Sequence, residues 1–395
     1  MWRQPLKILR VIASMNPAHG GPSQGIRQSI PALASLGVQN EVVCCDPPSA
    51  PWIGRDSFPV QAVGSKGLGF SYSPALKSWL RAHMPRFDAV IVHGLWLWPS
   101  VAAHLLHKSL GASAPLLFVM PHGMLDPWFQ RDPSRRLKAI RNSCYWWLVE
   151  RRVVNSASGL LFTCEEELRL ARTTFRGYHP RRELNVGYGI AAPPLPTPQM
   201  REALAQKCPS LHDKPFLLFL ARIHSKKGVD LLVDAYLDFL KKQVEPDRMP
   251  DLLIAGPGWE SDYARGIQNR IGKIPRIHTS GMLEGDSKWG ALHGCQAFIL
   301  PSHQENFGIA VVEALACNKL VLISDKVNIW REIADDSAGF VEPDTLAGTQ
   351  ALLTAFRDRD AAPSTRFRDC FTKRFCIQSA AQKMRDLLKN LLICP

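Results

Sequence analysis

The chain has 395 residues, of which 46% are hydrophobic and 21% are charged, and its formal net charge is +13. This composition is that of an ordinary globular protein, and it excludes collagen-like and low-complexity chains. The length predicts two domains, and the longest apolar runs, such as residues 216–221, have the length of a strand and cannot span a bilayer.

Apolar segments that alternate with helical ones predict a series of β-strands. The first half contains five of them, at residues 6–12, 41–45, 89–92, 116–120 and 159–163. The second half contains four, at residues 216–221, 252–255, 297–300 and 320–324. Many are continuous runs of valine, isoleucine, leucine and phenylalanine, which is typical of strands buried on both faces. We therefore predict an α/β protein with doubly wound parallel sheets.

A proline-rich segment from Ala191 to Pro198 lies near the middle of the chain. Prolines favour an extended connector over a continuing helix. We predict an N-terminal domain at residues 1–192, a C-terminal domain at 199–372, and a C-terminal helix at 373–395 that packs back towards the N-terminal domain. Two such domains facing one cleft would bind a ligand beyond the carboxyl ends of their strands.

The N-terminus leads directly into the first predicted strand, without the pattern of a signal peptide. We expect a cytoplasmic protein, or one that is peripheral on the inner face of the membrane. The ten cysteines include no C-x-x-C pair, so we interpret them as reduced thiols rather than as disulfides or a zinc site.

Positive charge is concentrated in residues 131–152, from Arg131 to Arg152, a stretch that also contains Trp146 and Trp147. Basic side chains beside interfacial aromatics suit an anionic membrane surface or a phosphate-bearing substrate. A solvated helix face with two core tryptophans is an equally good interpretation. Nucleic acid is a weaker one, because no recognised binding motif accompanies the charge.

Three loops in the first half follow predicted strands. Gly20 and Gly21 follow the first strand, where a glycine-rich loop lets a phosphate or sugar approach the backbone, although a plain βα turn is the alternative. The other two loops each place a histidine, His93 or His122, at the carboxyl end of a strand, where ligands bind in such sheets, although a single His-Gly after a strand is more often structural. Tryptophans near them could stack on a sugar face. We expect the acceptor-side residues to be His93, Trp96, Trp98 and Asp126.

Arg222 and Lys227 bracket a loop between a strand and a helix in the second half. A guanidinium fork and an ammonium group are a natural pair for a diphosphate. The run from Pro301 to Ala314 contains Glu305 and Glu313, eight residues apart, around a glycine turn that opens a helix. Because the first N–H groups of a helix lack partners, such a turn suits an anion, although a capping acid and a buried helix are an alternative.

These motifs, in this order, resemble the retaining glycosyltransferases of the GT-B fold, in the large family four with its E-x7-E signature. The resemblance covers residues 5 to 390. It implies a GT-B fold of two Rossmann-like doubly wound parallel-sheet domains facing an interdomain cleft. It also implies that Arg222 and Lys227 stabilise the departing diphosphate, that His122 orients the donor sugar, and that Glu305 binds sugar hydroxyls. These four are the predicted catalytic residues.

By the same resemblance, further residues contact the donor nucleotide and sugar, with Glu313 on the ribose hydroxyls. Asn306 stands where the family often has proline or serine. The predicted donor-binding residues are Gly20, Gly21, Gly256, Gly258, Met282, Asn306, Phe307, Gly308, Ile309 and Glu313.

We therefore predict a retaining hexosyltransferase that requires no metal and no cofactor, and that uses a UDP- or GDP-linked sugar as co-substrate. Its acceptor would be a glycan or a lipid-linked sugar, in the synthesis of exopolysaccharide, O-antigen or another cell-surface glycan. We expect no nucleic-acid partner. The alternatives are a nucleotide-sugar epimerase or a phosphorylase of the same fold, and a non-catalytic protein that binds nucleotide or nucleic acid.

Overall fold

The computed structural model describes residues 5–19, 21–67, 69–211, 214–242, 249–272, 274–359 and 364–393. The chain divides into two compact units. The N-terminal unit comprises Met1–Ala191 and Cys376–Pro395, and the C-terminal unit comprises Ala192–Phe375. The boundary lies within the proline-rich segment.

Each unit is built on one parallel sheet, which confirms the predicted fold class. The seven strands of the N-terminal unit are β1 (Lys7–Ile12), β2 (Gln39–Cys44), β3 (Val60–Ala62), β4 (Ala89–His93), β5 (Leu116–Met120), β6 (Gly159–Phe162) and β7 (Glu183–Asn185). The six strands of the C-terminal unit are β8 (Phe216–Leu220), β9 (Asp251–Ala255), β10 (Ile277–Ser280), β11 (Ala297–Leu300), β12 (Leu320–Ser324) and β13 (Gly339–Glu342).

The strand order is β3-β2-β1-β4-β5-β6-β7 in the first sheet and β10-β9-β8-β11-β12-β13 in the second. In each sheet the order of the strands reverses at the first strand, because later strands are added on both sides of it: β1 pairs with β2 and β4, and β8 pairs with β9 and β11. This reversal is the topological switch point, outside which doubly wound sheets bind their ligands. Several candidate residues lie at the carboxyl ends of these central strands: Gly21 after β1, His93 at the end of β4, Arg222 after β8 and Glu305 after β11.

Helices connect the strands. Those of the N-terminal unit are α1 (Gly21–Ala34), α2 (Pro74–His83), α3 (Trp98–Leu110), α4 (Trp128–Arg131), α5 (Arg136–Tyr145), α6 (Arg151–Ser156) and α7 (Glu165–Ala171). Those of the C-terminal unit are α8 (Pro198–Lys207), α9 (Val229–Lys242), α10 (Asp262–Ile271), α11 (Gly285–Gly294), α12 (Ile309–Ala316), α13 (Trp330–Asp335), α14 (Leu346–Asp358) and α15 (Arg366–Cys370). A π-helical turn, Trp146–Glu150, joins α5 to α6.

The last helix, α16 (Ile377–Ile393), belongs to the N-terminal unit. Its buried residues Ala381, Met384 and Leu388 share a core cluster with Ile8 of β1 and Leu33 of α1. The chain therefore returns to the first sheet after completing the second. No helix in the described ranges is long and apolar enough to cross a bilayer.

Candidate functional site

The loop after β8 carries Arg222 and Lys227 in different environments. Arg222 is exposed, and within the described ranges no carboxylate pairs with it. Lys227 ends a 3-10 turn and is only 8% exposed. Gly228 follows with φ at 66°, and a Cβ there would lie 2.0 Å from the carbonyl oxygen of Pro301. The loop after β8 thus packs directly on the loop after β11.

An ion pair joins these two loops, because the Nζ atom of Lys227 contacts Oε2 of Glu305. The backbone of Glu305 is fixed as well: its N–H donates to Lys326 (2.9 Å), and its carbonyl accepts from Asn328 (2.9 Å). Burial alone would raise the pKa of Glu305. The ammonium of Lys227 and the backbone N–H of Gly308 outweigh burial, and they hold that pKa below its usual range. Glu305 is therefore an ionised acceptor that positions Lys227.

Helix α12 begins after Gly308, whose φ of 74° lies in the left-handed region that favours glycine. The backbone N–H of Gly308 helps to lower the pKa of Glu305, which places this carboxylate beside the helix start. The side chain of Phe307 is buried, with its ring edge-on to Phe375 at 5.8 Å between centroids. Asn306 accepts a long hydrogen bond from Asn328 (3.5 Å). The Phe307 ring is thus part of the core and is not a surface that a ligand can contact here.

Glu313 lies in the second turn of α12, where its Oε1 atom is 2.7 Å from Nζ of Lys288. Lys288 belongs to α11 and also lies over the ring of Trp289. The sequence analysis did not identify this lysine, because no motif links it to an acid 25 residues later. Both acids of the E-x7-E run are therefore held by lysines from neighbouring elements.

The turns after β9 and β10 are tied to the loop that carries Arg222. Gly256 donates its N–H to the carbonyl of Gly281 (3.0 Å), and Ile223 donates to Pro257 (2.8 Å). Gly256 has φ at 146°, and a Cβ there would lie 1.9 Å from the carbonyl oxygen of Ala221. The fold itself therefore requires glycine at this position. Gly258 also has a positive φ (105°), and Met282 is 58% exposed.

In the N-terminal unit, Asp46 fixes the loop after β1. Its carboxylate accepts from the Ser14 hydroxyl and from the backbone N–H of Met15, both at 2.6 Å. Gly21 is the first residue of α1, and a Cβ there would meet nothing within 4 Å. Open space at Gly21 leaves room for a ligand against the backbone. The other predicted glycine, Gly20, lies outside the described residues.

The predicted histidines lie together at the carboxyl ends of β4 and β5. Nδ1 of His93 is 2.9 Å from Nε2 of His122, and the two rings stack. His93 is buried, whereas His122 is half-buried and has φ at 52°. A histidine with positive φ is uncommon, and strained backbone of this kind clusters at functional sites.

The turn that carries His122 is held by Glu167, a buried residue of α7. Its carboxylate accepts from the N–H of Gly123 (2.6 Å) and from the N–H (2.8 Å) and hydroxyl of Thr163. The sequence analysis identified only a helix start rich in acids here. The partner, 44 residues earlier, becomes visible only when β5 and β6 pair.

The other three predicted acceptor-side residues, Trp96, Trp98 and Asp126, also make contacts within the N-terminal unit. Trp96 is half-buried and packs against Tyr145 and Phe175. Trp98 is half-buried and donates its Nε1–H to the carbonyl of Ser73 (2.8 Å). Asp126 is buried, and its Oδ1 atom accepts the N–H of Trp128 (2.8 Å). These side chains shape the loops, and protein neighbours already occupy much of their surface.

Glu150 ends the π-helical turn and is fully buried. Its Oε1 atom accepts from the N–H of Trp96 (2.7 Å) and the hydroxyl of Ser100 (2.9 Å). Its Oε2 atom has no hydrogen-bond partner among the described residues. Burial raises the pKa of Glu150 to about 7, against the opposing effect of the two hydrogen bonds.

We expect this carboxyl to make stability depend on pH. The folded-state pKa lies above the ordinary value of 4.5, so the contribution of Glu150 is complete below that value and is lost as the pH rises through about 7. Glu150→Gln should remove this dependence, which amounts to about 2–3 kcal/mol of unfolding free energy between about pH 5 and about pH 8. Urea unfolding of both proteins at the two pH values measures the difference. The same pH dependence in wild type and variant would contradict the expectation.

Comparison with known proteins identifies the family. The family described as "Glycosyl transferase 4-like domain" matches residues 20–189, and "Glycosyl transferases group 1" matches residues 200–356. The chain belongs to the group 1 glycosyltransferases. This glycosyltransferase is 23% identical to the alpha-D-kanosaminyltransferase of Streptomyces kanamyceticus, over 80% of its own length and 85% of that protein.

Other curated relatives match over shorter segments. The glycosyltransferase is 25% identical to an uncharacterised glycosyltransferase of Methanocaldococcus jannaschii, over 41% of each chain. It is 26% identical to the D-inositol 3-phosphate glycosyltransferase of Jonesia denitrificans, over 55% of its own length and 53% of that protein. The alignments thus span about half, or less, of these two relatives.

Solved structures show the same fold. A glycosyltransferase of Rickettsia africae superimposes with a TM-score of 0.73 at 16% identity, over the whole of both chains. Anabaena HepE, in complex with UDP and glucose, superimposes with a TM-score of 0.71 at 16% identity, over 98% of this chain and all of its own. The fold of the glycosyltransferase is therefore GT-B, as the sequence predicted.

Proposed function

We propose that this glycosyltransferase transfers a hexose from a nucleotide-diphosphate sugar to an acceptor hydroxyl, with retention of anomeric configuration. One observation supports the proposal most. The loop after β8 presents an exposed guanidinium, Arg222, and a buried ammonium, Lys227, which Glu305 holds in place. This pair can neutralise the charge that develops on a departing diphosphate, without a metal or a cofactor.

The pairing refines the predicted roles of the acids. An ammonium group has three N–H donors, so Lys227 can contact Glu305 and still donate to a phosphate oxygen. Glu305 has acceptor sites left for a sugar hydroxyl, and Glu313 has them for the ribose hydroxyls. Neither acid needs to form a covalent bond in this scheme. Catalysis then rests on positioning and on electrostatic stabilisation.

The nucleotide is proposed to be uridine or guanosine diphosphate. The complex of Anabaena HepE with UDP and glucose supports the uridine choice. A panel of UDP- and GDP-linked hexoses tests the proposal through release of the nucleoside diphosphate, with and without EDTA. We expect one donor to release diphosphate at the same rate in both conditions. An isomerised nucleotide sugar without diphosphate release would instead indicate an epimerase. Absence of any reaction would contradict both the glycosyltransferase and the epimerase.

We further propose that the acceptor is a lipid-linked sugar or a growing cell-surface glycan at an anionic membrane. The two tryptophans of the stretch from Arg131 to Arg152 differ in exposure. Trp146 is fully buried and stacks on Phe175, whereas Trp147 is 48% exposed and lies against Arg151. Trp146 is therefore a core residue, whereas Trp147 is exposed enough to contact a membrane surface.

An exposed apolar stripe runs along α5 and the π-helical turn. Leu137, Ile140 and Leu148 are 84%, 62% and 68% exposed, and with Trp147 they recur at helical spacing. Exposed basic residues flank the stripe, namely Arg131, Arg136, Lys138, Arg141 and Arg152. Apolar side chains and an interfacial tryptophan between cations suit a bilayer that contains anionic lipids.

Flotation with vesicles tests this membrane proposal. The wild type should float with vesicles that contain anionic lipid, less so at high salt, and not with neutral vesicles. Leu137→Glu with Leu148→Glu should abolish flotation, because carboxylates then face the anionic surface. Leu195→Glu is a matched control, since Leu195 is 74% exposed but lies in the C-terminal unit. Absence of wild-type flotation at low salt would contradict the proposal.

A further inference from the structure

Arg10 is a cation in the middle of β1, with only 1% of its surface exposed. Its three hydrogen-bond partners among the described residues are neutral: Nε donates to Oδ1 of Asn40 (3.1 Å), Nη2 donates to Sδ of Met384 (3.4 Å), and Nη1 lies 3.5 Å from Nε2 of His93. Within the described ranges no carboxylate pairs with it. Burial lowers the pKa of Arg10 to about 10, so the group is still charged at neutral pH. A buried, unpaired charge is costly, which suggests a specific role.

The contact between Arg10 and His93 has a fixed direction. A guanidinium group can only donate hydrogen bonds, so Nε2 of His93 must be the acceptor. A neutral His93 then carries its proton on Nδ1. That atom is 2.9 Å from Nε2 of His122, so His93 donates and His122 accepts. The proton of a neutral His122 is consequently on Nδ1.

Both rings are neutral near pH 7. Burial, together with the positive charge of Arg10, lowers the pKa of His93 well below its usual value and that of His122 to about 4. The other titratable group against the same cavity, Tyr188, donates its hydroxyl to the carbonyl of Gly21. Burial raises the pKa of Tyr188, so it is neutral as well.

The outer end of this chain of hydrogen bonds is open. In the described part of the protein, no group accepts a hydrogen bond from Nδ1 of His122. A cavity of about 30 Å³ lies against Arg10, His93 and His122, and it has room for a small polar group or one to two waters.

We propose that Arg10 is a positioning residue that acts through His93 and fixes His122 as the tautomer with its proton on Nδ1. His122 then offers a hydrogen-bond donor, and no acceptor, to an oxygen of the bound sugar. The part that concerns the sugar rests on the proposed function, whereas the tautomer concerns the protein alone. The inference explains why a strand buried against α1 and α16 contains an arginine.

Nitrogen-15 NMR of the protein with labelled histidine tests the tautomers directly, because protonated and unprotonated ring nitrogens have different shifts. His93→Gln and His122→Asn assign the signals. In the unliganded wild type at neutral pH, we expect both rings to be protonated on Nδ1 only. A wild-type His122 protonated on Nε2 would overturn the inference by itself.

Arg10 variants test the cause. Arg10→Met removes the donor and the charge, so we expect His93 and His122 to populate both tautomers and the pKa of His122 to rise by about one unit or more. Arg10→Lys retains a charged donor and should keep the wild-type tautomers. If Arg10→Met gives the wild-type spectrum, Arg10 does not set the tautomer. If Arg10→Met does not fold, the spectra of the wild type and of Arg10→Lys still test whether both rings carry their protons on Nδ1.

Steady-state kinetics with the nucleotide sugar complete the test. Arg10→Met should lower kcat/KM by about tenfold, the effect of one misdirected hydrogen bond, and Arg10→Lys should recover most of it. If the wild type turns over no nucleotide sugar, the proposed function fails while the tautomer result stands. If the enzyme is active but Arg10→Met changes neither spectrum nor kcat/KM, the inference fails and the function stands.

Discussion

Replacing Lys227 with alanine is expected to lower kcat by about 10²–10³-fold, the usual effect of removing one group that stabilises charge in a transition state. Lys227 is the buried cation of the loop after β8, and Glu305 fixes its position. Solvent cannot readily replace an ammonium that the fold has already placed. Single-turnover and steady-state rates of diphosphate release measure the loss.

The same change leaves the carboxylate of Glu305 without its main counter-ion. We therefore expect some loss of stability from Lys227→Ala, and recovery of stability but not of activity in Lys227→Ala with Glu305→Gln. Arg270→Ala is a suitable control, since Arg270 of α10 forms an exposed ion pair with Asp234 of α9, and such pairs contribute about 1 kcal/mol or less. Near-normal turnover in a folded Lys227→Ala protein would contradict the proposed role of this lysine.

Gly256→Ala is expected to destabilise the protein by about 3 kcal/mol or more, since it combines a steric clash with a strained backbone. Its new Cβ would lie 1.9 Å from the carbonyl oxygen of Ala221, at a φ of 146°. The obstacle is backbone, so no side chain can move away to relieve it. Urea unfolding measures the free energy, and an unchanged value would show that the turn after β9 can shift freely.

Gly21→Ala is the matched comparison, because its Cβ would meet no atom of the protein within 4 Å. We expect the unfolding free energy of this variant to equal that of the wild type within about 0.5 kcal/mol. If a ligand lies against Gly21, as the resemblance implies, the methyl group should still raise KM for the donor. Destabilisation equal to that of Gly256→Ala would show that Gly21 too is required by the fold.

The strands show what the sequence could and could not predict. All nine predicted strands are present, and they lie in the interior of the two sheets. The four that the sequence analysis missed, β3, β7, β10 and β13, are the edge strands. β3, β7 and β13 are only partly buried, and β10 is largely buried but polar, so none of the four has a long apolar run. The signal that identified the other strands is a continuous apolar run, which comes from burial on both faces.

The candidate site shows a similar division. Motifs within one loop could be predicted, because their residues are close in the sequence, as Arg222 and Lys227 are. Contacts between distant segments were not, as with Lys288 on Glu313 and Glu167 on the turn of His122. Arg10 gave no signal as a motif, because a single arginine in an apolar strand has meaning only once its neutral partners are known.

Titration calorimetry of UDP and of GDP into the wild type and Lys227→Ala is the most direct test that the C-terminal unit binds a nucleoside diphosphate through its basic loop. The wild type should bind one of the two nucleotides saturably at one site. Lys227→Ala should bind it at least about tenfold more weakly, a loss of about 1.4 kcal/mol. Equal affinity in the two proteins, or binding of neither nucleotide by the wild type, would contradict the account.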